Sequence, residues 1–275
     1  MSPRDEVPHD TRRVPIHLGI AGWNVRREHG RRFPDIGTHL ERYSARFNAV
    51  EINSCFYQPH RFATYQRWAG CVPAGFRFAV KLPKVITHEL RLVDVVVPLE
   101  RFLGEVHGLR EKLGPVLVQL PPKLAFERSV ARPFFDDLRE RFDGQVVLEP
   151  RHETWFSARV ESLLVKYRIG RVAAEPVRVP ARGGPGGYEE IVYLRLHGSP
   201  RMYYSAYPTE YLGIVTRLLA TSAAHDISAW CIFDNTAMGA ATIDALTVKS
   251  QLLQAGATQW TTKRSGRRTR SGGRS

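Results

Sequence analysis

One pattern constrains this chain more than any other: a short apolar strand recurs eight times, with helical stretches filling most of the gaps. The expected strands cover 16–21, 49–53, 76–81, 116–120, 145–149, 171–175, 191–197 and 229–234, and helical periodicity occupies 38–43, 99–113, 129–142, 159–167, 209–224 and 240–253. Short strands alternating with longer helices imply βα units and a parallel sheet. Eight units in one domain point to a single (β/α)8 TIM-type barrel, which takes about 250 residues; the chain has 275. A doubly wound sheet is the competing architecture. It would call for a Gly-rich first turn, and Gly19-Ile20-Ala21-Gly22-Trp23 is a poor version of one. The Pro- and Gly-rich stretch 180–187 leaves too little chain for a full helix between the sixth and seventh strands. One barrel helix is therefore degenerate, and that loop is either a lid or a surface excursion.

The barrel is expected over 15–258, after a loose leader (1–14) and before a disordered basic tail (259–275). Lys+Arg number 40 against 27 Asp+Glu, a net charge of +13, and six of the cations lie in the acid-free end Thr262 to Ser275. Such a tail can hold phosphate backbones, so weak nucleic-acid binding is its expected partner role; a purely solubilising tail is the plainer reading. The N-terminus lacks an apolar signal core and no run is long enough to span a membrane, so a cytoplasmic protein is expected. Cys55, Cys71 and Cys231 are scattered and read as buried thiols, with Cys55 the one nucleophile candidate because it lies just past a strand end.

Polar residues fall at the C-terminal ends of the strands, where barrel sites collect. Residues two apart share a strand face. Glu51 thus pairs with Asn53, Glu149 with Val147, Gln119 with Leu117, and Tyr193, Arg195 and His197 line up together. Charges inside a sheet cost several kcal/mol unless paired, so this register marks a site or a set of internal salt bridges.

The run Val50-Glu51-Ile52-Asn53-Ser54-Cys55-Phe56-Tyr57 resembles a signature of the YecE-like family, number seventy-two in the domain-of-unknown-function series. So do Gly19-Ile20-Ala21-Gly22-Trp23, Phe78-Ala79-Val80-Lys81, Ile86-Thr87-His88, Leu113-Gly114-Pro115 and Gln119-Leu120-Pro121-Pro122. Glu149-Pro150-Arg151-His152 with Trp155, Leu194-Arg195-Leu196-His197-Gly198 and Phe233-Asp234-Asn235-Thr236 extend it over roughly 14–255. The resemblance implies a TIM-like fold and a pocket, and brings no reaction with it. Where such proteins usually carry Asn-Asn, this chain has Asp234-Asn235. Where they carry Asp after the sixth strand it has Glu175, and Arg32-Phe33-Pro34 replaces their usual Phe-Tyr-Pro loop end.

Three functions compete. In the first, an enzyme acts on a polar, anionic small substrate. Glu51, Glu149, Glu175 and Asp234 supply acid and base groups, and His197 and His152 carry protons. Lys81, Arg151 and Arg195 clamp the anion. Asn53, Gln119, His88 and Asn235 add polar contacts, Tyr57, Tyr203 and Tyr207 line the mouth, and Trp23 and Trp155 form stacking walls. The second adds a divalent metal held by the same carboxylates with His88, His152 or His197, for phosphodiester cleavage or sugar isomerisation. No His-x-His pair supports a metal, and no motif names an organic cofactor. The third is a non-catalytic nucleic-acid or polyanion binder.

Overall fold

The computed structural model describes residues 15–177 and 183–257. The expected leader and basic tail lie outside these residues, as does part of the Pro/Gly loop. Ten strands are formed: β1 (Ile16–Ile20), β2 (Ala49–Ile52), β3 (Arg77–Lys81), β4 (Leu113–Gln119), β5 (Val146–Glu149), β6 (Ile169–Arg171), β7 (Ala173–Glu175), β8 (Gly186–Gly187), β9 (Ile191–Leu196) and β10 (Ser228–Phe233). Between them lie α1 (His39–Ser44), α2 (Ser54–Tyr57), α3 (Phe62–Gly70), α4 (Val96–Val106), α5 (Arg128–Arg141), α6 (Ala158–Lys166), α7 (Thr209–Ala224) and, last, α8 (Ala240–Gln254). None of these helices is long and apolar enough to cross a membrane.

The result is a mixed α/β fold with parallel sheets. The strands form two sheets, in the orders β1-β10-β9-β7 and β2-β3-β4-β5-β6-β8, and only the β6/β8 pair is antiparallel. At one seam β1 faces β2 with side chains in place of a regular ladder. Tyr43 Oη accepts from Ile20 N–H (2.8 Å) and donates to the Ala49 carbonyl (2.8 Å). Asn48 accepts from Leu18 N–H (2.9 Å) and donates to the Ile16 carbonyl (2.7 Å). Direct pairing resumes only where Gly22 N–H donates to the Glu51 carbonyl. Gly19 sits in this seam because a Cβ there would lie 2.1 Å from the Ala49 carbonyl oxygen. At the other seam one extended stretch serves both sheets: β6 pairs with β5, Val172 N–H donates to Leu148, and β7 then pairs with β9.

Two differences from the expected elements have local causes. The expected sixth strand, 171–175, is split into β6 and β7 by this change of sheet. The expected fourth strand begins at Leu113, not Val116, and α4 ends early in a 3-10 turn, His107–Lys112, with Arg110 at φ 52°. Gly114-Pro115 reads as a strand breaker in sequence. In the structure the Trp230 indole lies over Gly114, where a Cβ would come within 2.5 Å of the ring. Described residues 183–190 carry β8 and no helix, so among the described residues this unit is indeed without one.

Alternation along the strands sorts the side chains into two apolar layers. Outward residues such as Leu18, Val50, Phe78, Val118, Leu148 and Leu194 pack under the helices. A smaller inner cluster holds Ala49, Ala79, Leu117, Val147, Tyr193, Trp230 and Ile232. Small residues at 49 and 79 leave room for the Trp230 and Tyr193 rings. His17 completes the inner layer at the N-terminal end of the strands, stacked on Trp230 with centroids 4.2 Å apart.

Burial, with Arg77 adding to it, pushes the His17 imidazole down to about 3 from its ordinary 6.5, and its Nδ1 has no partner. The unfolded chain takes up a proton below about pH 6.5 that the folded chain refuses. Stability from this group is therefore present above pH 6.5 and lost as pH falls from there towards 3. Between pH 7 and 5 the loss is about 2 kcal/mol. Guanidinium unfolding at the two pH values should show it, and His17→Phe should remove that part of the drop. An equal drop in the variant would mean other groups cause it.

Candidate functional site

Stepping two residues along each strand from the inner apolar layer reaches, in turn, Glu51 from Ala49, Lys81 from Ala79, Gln119 from Leu117 and Glu149 from Val147. The same step reaches Arg195 from Tyr193 and Asp234 from Ile232. Period-two geometry thus stacks a charged layer directly on an apolar one, at the C-terminal ends of the strands. Glu51, Glu149, Arg195 and His197 are fully buried, and Asp234, Arg151 and Lys81 nearly so.

Arg195 is the hub. Its Nη2 lies 2.7 Å from Glu51 Oε1 and 3.0 Å from Asp234 Oδ2, and its Nη1 lies 3.2 Å from Glu149 Oε2. Its Nε donates to both Glu51 oxygens, and Tyr193 Oη donates to Glu51 Oε2 at 2.8 Å. Arg151 Nη2 bridges Glu149 Oε1 (2.5 Å) and His197 Nε2 (2.9 Å). His197 Nδ1 meets Asp234 Oδ2 at 2.9 Å. A guanidinium N–H can only donate. A carboxylate can only accept, so Nδ1–H is the donor to Asp234; Nε2, which also lies 3.0 Å from Glu149 Oε1, accepts from Arg151 in the neutral ring and donates to Glu149 when it carries a proton.

Burial alone would raise the Glu149 and Asp234 carboxyls. For Glu149 the charges of Arg195 and Arg151 overcome it, and for Asp234 the charge of Arg195 and the hydrogen bond from His197 do, so both lie below the usual carboxylate range. Arg195, despite its burial, is held firmly charged by Asp234, Glu51 and Glu149. Burial, with Glu51 beside it, pushes the Tyr193 hydroxyl well up and keeps it a donor. Lys81 differs from the other cations. Burial and the nearby Arg195 bring it down to about 8, against the pull of Glu51, Glu149 and Asp234. Among the described residues it makes no ion pair; its Nζ lies over the Phe56 ring, 4.0 Å from the centroid.

The remaining sequence candidates divide into rim and scaffold. Tyr203 stands edge-on to the His197 ring at 5.7 Å, half-exposed, with its N–H on the His197 carbonyl. His88 packs edge-on to Phe56 and bonds Thr87 Oγ1, and burial and Lys81 lower its imidazole. Glu175 is half-buried, and burial raises its carboxyl. Asn53 leaves its buried Oδ1 without a partner, and Gln119 lies in register with Glu149 without a side-chain hydrogen bond. Asn235 Nδ2 donates to Asp244 and Ser205, and its Oδ1 is unpartnered.

Five candidates are placed differently from the wall and mouth positions expected of them, or from a role in the cluster. Trp155 is buried in the outer core, its Nε1–H on the Leu124 carbonyl, so it is no stacking wall. Tyr207 Oη accepts from Gly198 N–H and its ring stacks on Tyr211. Tyr57 is 81% exposed, packed edge-on against Phe56. His152 accepts from Thr154 N–H at the start of the 3-10 turn Glu153–Phe156, a local cap. Trp23 packs on Trp68, edge to face. Sequence reasoning passed over Tyr193, Phe56 and the buried Asp244. Tyr193 had a signal, its spacing of two from Arg195; Phe56 and Asp244 had none.

The proposed metal set is not gathered. Among the described residues no group of three or more His, Cys, Asp and Glu side chains is placed to hold an ion. Glu175, His88 and His152 make no hydrogen bond or ion pair with the cluster, and the carboxylates in it face arginines. Burial raises the Cys55 thiol to about 12, too high for a nucleophile near neutral pH.

Fold and site together define a parallel α/β protein that buries a charged network at the C-terminal ends of its strands. The family described as "Protein of unknown function DUF72" matches residues 17–268, and the chain belongs to that family. It is 31% identical over 144 residues to the UPF0759 protein YecE of Escherichia coli K12, a stretch covering 52% of this chain and 50% of that one. The chain therefore matches about half the length of this curated relative. A DUF72 family protein of Thermotoga maritima superposes with a TM-score of 0.72 at 22% identity, over 87% of this chain and 99% of that one. One from Enterococcus faecalis gives 0.70 at 19%, over 87% and 98%. Identities this low establish a shared fold.

Proposed function

We propose that the strand ends bind a small anionic substrate and carry out acid–base chemistry on it, and that the two sheets close around this site as a (β/α)8-type barrel. The seams support closure: side chains of Tyr43 and Asn48 stitch one, and the β6–β7 stretch runs through the other. The observation that carries the functional reading is an excess of unused donors among occupied acceptors. Arg195, Arg151, His197 and Tyr193 already take up both oxygens of Glu51 and Glu149 and one of Asp234. Among the described residues Lys81 Nζ meets no acceptor and lies over the Phe56 ring, and the buried Nε of Arg151 has no partner. Buried donors without acceptors are costly, and an incoming carboxylate or phosphate relieves that cost.

Glu149, His197 and Asp234 then form the proton path. With Nε2 unprotonated, His197 can take a proton from the substrate, and the N–H so formed donates a hydrogen bond to the ionised Glu149 Oε1, 3.0 Å away. Asp234 holds the ring in place through Nδ1, and Arg195 and Arg151 keep both carboxylates ionised as acceptors. Glu51 anchors Arg195. The network favours this over the metal reading, because its carboxylate oxygens are directed at guanidinium groups.

Thermal-shift measurement against phosphate, sulfate, malonate and small phosphorylated or carboxylated metabolites tests the reading. A bound anion at a hundredfold excess over its Kd should stabilise by about 2.7 kcal/mol, or roughly 5 °C or more. Lys81→Met and Arg151→Met should each abolish the shift. Shifts that survive both substitutions, or none with any anion, would overturn it.

A further inference from the structure

We propose that Lys81 is a nucleophile that condenses with the carbonyl carbon of a small substrate bearing an anionic group, the chemistry shared by 2-oxo acids and ketose phosphates. This rests on the anion-site reading above and adds a covalent step to it.

The geometry sets Lys81 apart from the other buried amines. Lys112 Nζ donates to the Ala69 and Val72 carbonyls at 2.6 and 2.7 Å, and Lys249 Nζ donates to the Arg46 carbonyl. Lys81 is 8% exposed, and its amine meets no acceptor among the described residues. The carboxylates that might have paired with it are engaged by Arg195, Arg151 and His197. On one side the Phe56 ring excludes water. Its position on the inward face at the end of β3 points it into the same layer as Glu149 and Asp234.

A lysine that only holds an anion works best fully charged, and an acceptor nearby would keep it so. Here burial and the guanidinium of Arg195 bring the amine to about 8. About a quarter of it is then neutral at pH 7.5, which serves a nucleophile and gains nothing for a point charge. In the step, the Nζ lone pair forms an N–C bond to the carbonyl carbon. The carbonyl π pair takes the proton that nitrogen gives up, and loss of water leaves a C=N bond. The condensation consumes no oxidant or reductant. Protonation of the imine nitrogen makes the adjacent carbon acidic, which is the proton the Glu149–His197 pair is placed to carry.

Borohydride trapping tests this on the full chain. Pyruvate and dihydroxyacetone phosphate are incubated separately with the protein, sodium borohydride is added, and the peptides are mapped by mass spectrometry. Borohydride delivers hydride to the imine carbon and fixes a secondary amine. The expected result is one adduct on the Lys81 peptide with at least one of the two probes, about tenfold above that on Lys249. Lys249 is the internal comparator, since burial and Arg46 also bring it to about 8 while its amine faces a carbonyl. Lys81→Met should lose the adduct. Equal labelling of Lys249, or no adduct on Lys81 with either probe, would overturn the proposal. If neither probe labels Lys81 while phosphate stabilises the wild type and not Lys81→Met, the anion site stands and the covalent step alone falls.

Discussion

Arg195→Met is expected to lower the unfolding free energy by about 4 kcal/mol or more, a large part of the 5–15 kcal/mol typical of a domain. The guanidinium is fully buried and meets Glu51, Glu149 and Asp234 at once. Methionine fills similar volume but leaves Glu51 with one neutral hydrogen bond, from Tyr193. Removing one partner of a buried ion cluster costs far more than the cluster contributes, because uncompensated charge stays behind. Urea unfolding at pH 7 measures the loss. A second substitution distinguishes charge from shape: adding Glu51→Gln to Arg195→Met should recover part of the loss, a coupling of about 1–3 kcal/mol. A loss below about 1 kcal/mol in the single variant would mean that water reaches the layer and screens it.

Gly19→Ala is expected to cost about 3 kcal/mol, at the upper end of overpacking penalties. The obstacle is the backbone carbonyl of Ala49, 2.1 Å from the added methyl, with Tyr43 Oη at 3.0 Å. Neither can turn away, since Tyr43 Oη also serves Ile20 N–H. The seam must therefore open, and amide exchange at Ile20 and Leu18 should quicken far more than in the middle of β10. Tyr43→Phe provides a milder opening of the same seam, leaving one donor and one acceptor unmet. Gly19→Ala with unchanged exchange at both amides would show that β1 and β2 are held by the helices around them.

Much of this was legible from periodicity. The spacing of two that joins Ala49 to Glu51, Val147 to Glu149 and Tyr193 through Arg195 to His197 already sets these charges on one face. The structure brings them within hydrogen-bond distance of one another. That rule stops where the strand stops. His152 and Trp155 follow β5 in a 3-10 turn, where alternation no longer says which way a side chain points. One becomes a cap and the other a core residue. The split of 171–175 was equally hidden, because leaving one sheet for another changes hydrogen-bond partners and not composition. Nor does composition show that Tyr43 and Asn48 would stand in for a ladder. Each is a polar residue near a strand, and only the approach of β1 to β2 gives it its backbone partners.

The network joins groups far apart along the chain: Glu51 and Arg195 stand 144 positions apart, and Glu149 and Arg195 46. Synthesis delivers Glu51, then Glu149 with its partner Arg151, before Arg195, and Asp234 last. At about 5–20 residues per second, a ribosome releases Arg195 some two to ten seconds after Glu149. During that interval Glu51 lacks the guanidinium that meets it in the fold and is best left in water. The order of synthesis thus makes Arg195 the residue on which the charged layer waits, since it alone joins Glu51, Glu149 and Asp234.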